Sequence, residues 1–146
     1  MSQKKINHLL IVDDSVPNTI LCKKLLENTR QINHIFTVYD GEQALDYVFK
    51  KENYDITNSY PDVVLLDINM PNMDGFEFLR VFQEHQEFLN FNPFIVMLTS
   101  SDWNADRLQA SSNNLVQGFI EKPLNPEKVQ ALIQDYEAYI AVTKVH

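Results

Sequence analysis

Five residues of chemically useful type stand at the carboxyl ends of short apolar runs. Asp13 and Asp14 follow the run 9–12, Asp67 follows 63–66, Thr99 follows 94–98 and Lys122 follows 118–121. Carboxylates brought together raise one another's pKa and resist ionising at the same time. A bound divalent cation removes that conflict. An oxygen-only ligand set favours a hard ion, and few protein ligands with retained water favour Mg²⁺ over Ca²⁺. Such an ion keeps positions open for phosphate oxygens. Lys122 adds a point cation and Thr99 a hydrogen-bond donor. The set predicts attachment of a phosphoryl group to a carboxylate, with one Asp as nucleophile and with metal and Lys122 stabilising charge. Taken singly, each acid has a plainer reading as a solvated loop residue, and Asp14 or Ser15 could cap the helix that follows. The coincidence of four strand ends outweighs that reading.

These positions need elements to bring them together. The runs 9–12, 63–66 and 94–98 are continuous rather than alternating, which predicts strands covered on both faces of a parallel sheet. The segment 34–39 has polar interruptions and predicts an edge strand; 118–121 predicts a short fifth. Helical stripes lie between them. The first is Ile20, Leu21, Leu25 and Leu26; the second is Ala44, Leu45, Val48 and Phe49; the third is Phe76 and Leu79 with Phe82 or Phe78. A weaker helix is expected over 102–112, around Leu108. Val129, Leu132, Ile133, Tyr136 and Ile140 mark the last and clearest. Pro17 and Asn125-Pro126 suit helix starts. The order is β-α five times. Parallel strands need right-handed crossovers, so the expected architecture is a doubly wound α/β sandwich that binds its ligand beyond the strands' carboxyl ends.

The 146 residues carry 12 Lys+Arg against 20 Asp+Glu, a formal net charge of −8. That length predicts one domain. The acidic balance, with no basic face, argues against nucleic acid and against a basic membrane-surface helix. The lone cysteine, Cys22, excludes a disulfide framework and reads as a small hydrophobe. His8, His34, His85 and His146 show no metal-ligand spacing. The apolar runs are too short to span a bilayer, and the first seven residues lack a signal-peptide core. A soluble, cytoplasmic protein is expected.

Four segments carry a family resemblance: 9–14 (LLIVDD), 63–75 (VVLLDINMPNMDG), 95–100 (IVMLTS) and 118–123 (GFIEKP). In that order and near those spacings they resemble the receiver domains of two-component response regulators. The resemblance implies a flavodoxin-like (βα)5 fold with strand order 2-1-3-4-5. It implies Asp67 as phosphoacceptor and Asp13 and Asp14 as the Mg²⁺ pair, Asp14 direct and Asp13 largely through water. The backbone carbonyl of Asn69 would be the third protein ligand, with its side chain near the reacting phosphorus. Lys122 would contact the phosphoryl group, and the Lys122–Pro123 bond would be cis. Thr99 would move toward the phosphate while Phe119 swings inward. Phe119 lacks the hydroxyl of the Tyr in some relatives, and ordinary strand packing is its rival reading. Gly75 would permit the turn after Asp67, through a positive φ or a close approach.

The chain also departs from the family pattern. Residues 113–117 (NNLVQ) stand where relatives have a Gly or Ala pair, and the connector 52–61, with Tyr54 and Tyr60, is longer than in the chemotaxis regulator. Trp103, Tyr136 and Tyr139 are candidate contact residues, with partial burial as the plainer reading. The implied donor is a histidine kinase or histidine phosphotransfer protein, and the output is an unidentified downstream protein. Dimerisation through the last two helices is left open. The expected organisation is one receiver over 1–146, with a core of about 6–140 and no output domain. Such a chain catalyses its own phosphorylation and dephosphorylation and is not an enzyme on an outside substrate. Three rivals use the same fold class. An aspartyl-phosphate hydrolase would carry Asp-x-Asp rather than an adjacent pair after the first strand. A flavin-type carrier would need a phosphate-cradling loop where Asp13 and Asp14 stand. A binding module could leave the site unused.

Overall fold

Short runs of Val, Ile, Leu and Phe with no polar alternation lower their free energy only when both faces are covered. The computed structural model describes residues 4–49, 60–85, 92–100 and 113–143. There the runs form five parallel strands, β1 (Ile6–Val12), β2 (Ile32–Val38), β3 (Val63–Asp67), β4 (Phe94–Thr99) and β5 (Val116–Glu121). Their order is β2-β1-β3-β4-β5, the expected doubly wound, flavodoxin-like sheet. Four helices accompany them among the described residues: α1 (Val16–Asn28), α2 (Gly41–Val48), α3 (Gly75–His85) and α4 (Pro126–Thr143). The helix expected over 102–112, together with Trp103, Tyr54 and His146, lies outside the described residues.

Alternate residues of each strand face opposite layers. Leu9, Ile11 and Leu65 pack with Leu26, Val129 and Ile133 from α1 and α4. Leu10, Val12 and Leu66 pack with Ala44, Phe78 and Leu79 from α2 and α3. Every residue of β3 and β4 is buried, whereas β5 is half-exposed. β2 forms the other edge, as its polar interruptions predict.

The stripe expected on α1 is wrong in part. Its buried face is Thr19, Cys22 and Leu26, while Ile20 and Leu21 are 58% and 42% exposed. Thr19 can be buried because its hydroxyl donates to the Val16 carbonyl at 2.8 Å. Reading only the apolar residues therefore rotated the face. Both Phe78 and Phe82 are buried on α3. His8 is fully buried, its Nε2 lying 2.5 Å from the Tyr47 hydroxyl and its ring edge-on to Phe36. Burial first, and then the Asp13 charge, push the Cys22 thiol up to about 11, which makes it the inert hydrophobe expected. No described helix is long and apolar enough to cross a membrane.

Candidate functional site

β1 and β3 are neighbours with Val12 opposite Leu66, so Asp13 and Asp67 emerge side by side at the carboxyl edge. Carboxylate oxygens of Asp13, Asp14 and Asp67 all lie within 4.8 Å of one another. Asp13 and Asp67 are buried, and Asp14 is exposed at the mouth. The cap of α1 is Ser15, whose Oγ accepts from the Asn18 N–H at 3.3 Å. That leaves Asp14 free of capping. Asp13 Oδ1 accepts from the Ser15 N–H at 2.9 Å, which aims Asp13 inward.

The cation arrives from the far edge of the sheet. The Lys122 N–H donates to the Thr99 carbonyl at 2.8 Å, continuing the β4–β5 ladder one residue past β5. Its Nζ stands 3.2 Å from Asp67 Oδ1 and 3.8 Å from Asp13 Oδ2. The Lys122–Pro123 bond is cis, as the resemblance implies. Asn69 donates its N–H to Asp67 Oδ1 at 3.3 Å, and its side chain is exposed. The buried hydroxyl of Thr99 donates to the Ser100 carbonyl at 3.0 Å rather than into the cluster. Phe119, half-buried in β5 opposite Met97, packs against the layer shared with α2 and α3.

Two glycines shape the loop after Asp67. A Cβ on Gly75 would sit 2.7 Å from the Asp67 carbonyl oxygen. Of the two reasons foreseen for Gly75, the close approach holds; the positive φ, 69°, belongs to Asn72. A Cβ on Gly41, the first residue of α2, would sit 2.8 Å from the Met73 carbonyl oxygen. Gly41 escapes sequence reasoning, because a helix-start glycine looks ordinary and Gly118 meets nothing where its Cβ would be.

Burial, then the Asp13 charge, raise the Asp67 carboxyl to about 6, against the opposing pull of Lys122 and the Asn69 N–H. Asp13 Oδ2 is buried and accepts no hydrogen bond. A buried anionic oxygen without a donor is costly. Three carboxylates face one ammonium, a deficit that a hard divalent ion cancels, and every side-chain donor is oxygen. The residues fit Mg²⁺.

The raised Asp67 pKa has a signed consequence. Between its ordinary value of 3.8 and about 6, the folded chain holds a proton that the unfolded chain has lost. Stability from this group is therefore full below 3.8 and falls as pH rises through about 6. In chelator, urea unfolding from pH 4 to 7 should show wild type losing up to roughly 2–3 kcal/mol relative to Asp67→Asn. Mg²⁺ at about a hundred times its dissociation constant should return roughly 3 kcal/mol to wild type. Parallel pH curves for the two chains would refute the assigned burial strain.

Comparison with known proteins agrees with this geometry. The family described as response regulator receiver domain matches residues 9–134. The chain is similar to the probable methanogenesis regulatory protein FilR2 of Methanothrix harundinacea, 30% identical over 131 residues, covering 90% of this chain and 81% of that one. Response regulator Rcp1 of Synechocystis is 25% identical over 131 residues, covering 90% and 86%. A Mn²⁺-bound crystal form of Rcp1 superposes with a TM-score of 0.68 at 26% identity, covering 92% of this chain and 93% of that one. The two-component response regulator of Cytophaga hutchinsonii shares the fold at a TM-score of 0.80 and 24% identity, covering 92% and 99%. Because the family match runs from within β1 into α4, it takes in every strand end described above, and the chain belongs to the response regulator receiver domains of two-component signal transduction.

Proposed function

We propose that this receiver takes a phosphoryl group from the histidine of a partner kinase or phosphotransfer protein onto Asp67, in the cytoplasm, and changes its protein contacts in response. The observation that carries the reading is the paired burial of Asp13 and Asp67 around Lys122, with one Asp13 oxygen lacking any donor. Asp13, Asp14, Asp67 and the Asn69 carbonyl would hold Mg²⁺. When bound, the ion supplies charge neutralisation to the phosphoryl oxygens.

The chain's own residues do the rest. Lys122 and the Asn69 N–H both engage Asp67 Oδ1, which fixes the carboxylate and leaves Oδ2 as the attacking oxygen. The P–N bond of the phosphohistidine breaks as the P–O bond to Asp67 forms, and the imidazole keeps the electron pair and takes up a proton. Lys122 neutralises charge on the transferred group, where phosphoryl transfer depends on positioning and electrostatics. Water later cleaves the P–O bond and regenerates the carboxylate. Thr99 would exchange its bond to Ser100 for a phosphoryl oxygen, and Phe119 would follow by repacking. The output is the change in protein contacts.

The test is intact-mass measurement with phosphoramidate. One phosphoryl mass should appear with Mg²⁺ and none in chelator; metal-independent uptake would refute the site. Exposed Val16 and Ile20 follow Asp14 on the first turns of α1 and suit the apolar surface of a donor protein. Ile20→Lys should slow transfer from the protein donor about tenfold while leaving the phosphoramidate rate within about twofold. Equal slowing with both donors would remove α1 from the donor's footprint.

A further inference from the structure

Lys128 lies in the first turn of α4, where the helix's partial positive charge favours an acid over a cation. The cap is Asn125, whose Oδ1 accepts from the Lys128 N–H at 2.8 Å. Three residues after such a cap, Glu or Gln would close a capping box. Lysine there breaks a local rule, and such breaks concentrate at functional sites. Its ammonium donates to the Glu121 carbonyl at 2.6 Å and to the Pro123 carbonyl at 3.1 Å. Those two carbonyls flank Lys122. The Lys122 N–H is itself tied to the Thr99 carbonyl at 2.8 Å. The peptide unit entering Lys122 is therefore held from β4 and α4, and α4 also holds the Pro123 carbonyl just beyond it.

We propose that Lys128 is a positioning residue: its ammonium ties the Glu121 carbonyl before Lys122 to the Pro123 carbonyl after it, and so sets the Lys122 ammonium between Asp13 and Asp67. This rests on the phosphoacceptor reading above. Lysine has a flexible four-carbon stem, so its charge is only as well placed as its root. A shift of about 1 Å at a reacting centre can cost about a hundredfold in rate. The described hydrogen bonds of the Lys128 ammonium are both to carbonyl oxygens, so its loss leaves the carboxylates of the metal cluster in place.

The test compares full-length wild type, K128M and K128R. It measures phosphoryl uptake from phosphoramidate at saturating Mg²⁺, Mg²⁺ affinity by calorimetry, and the unfolding midpoint. K128M should take up phosphoryl about tenfold more slowly with Mg²⁺ affinity unchanged within about twofold. K128R, whose guanidinium can span two carbonyls, should recover most of the rate. K128M at the wild-type rate overturns the clamp and leaves the phosphoacceptor reading intact. A wild-type chain that takes up no phosphoryl group overturns that reading and the clamp with it. Matched losses of rate, Mg²⁺ affinity and midpoint that arginine does not rescue mean general loosening, and also overturn the clamp.

Discussion

Asp67→Asn should lower Mg²⁺-dependent phosphoryl uptake by at least about a thousandfold. The amide has nearly the carboxylate's shape and can accept from Lys122 and the Asn69 N–H as Asp67 Oδ1 does. What it lacks is the anionic oxygen that the proposed transfer requires. The loss is therefore chemical rather than structural, and the same variant should be more stable than wild type at pH 7 in chelator, since it relieves burial of a charged group. Rate and stability moving in opposite directions separate this outcome from misfolding. Quenched-flow labelling with mass detection reads the first, and urea unfolding the second. Uptake at the wild-type rate would transfer the acceptor role to Asp13 or Asp14.

Gly75→Ala is the second large effect, and it acts through the backbone. The new methyl would fall 2.7 Å from the Asp67 carbonyl oxygen and 3.1 Å from the Ile68 Cα. Neither neighbour is the free end of a side chain, so the loop itself must move. Overpacking of this kind costs roughly 1–3 kcal/mol. At about 2–4 °C per kcal/mol, the unfolding midpoint should fall by roughly 3–10 °C. Because Gly75 N–H also donates to the Ile68 carbonyl at 2.9 Å, the displacement reaches Asp67 and should slow uptake about tenfold or more. Scanning calorimetry and the phosphoramidate rate test both halves. An unchanged midpoint would mean that the 69–74 loop yields without strain.

The strands were legible because both-face burial writes itself as unbroken apolar runs, and β1, β3 and β4 show them. The strand ends then exposed Asp13, Asp67 and Lys122 as a set. The helix faces were less legible. On α1, Thr19 replaces an apolar residue on the buried side because its hydroxyl bonds within the helix, a device that hydrophobicity alone does not register. Gly41 and Lys128 were illegible for a different reason. Each matters through a carbonyl oxygen on another segment, and carbonyls are common to every residue. Thr99 was placed correctly on its strand, but the partner of its hydroxyl depends on a backbone path that no motif specifies.

The sheet order also divides the site between its interior and its edge. Its carboxylates stand on β1 and β3, interior strands covered on both faces. Its ammonium stands just past β5, a half-exposed edge paired only with β4. Local opening is cheapest where apolar contacts are few and backbone bonds face water. Amide exchange should thus be slowest beneath the anions and fastest beneath the cation.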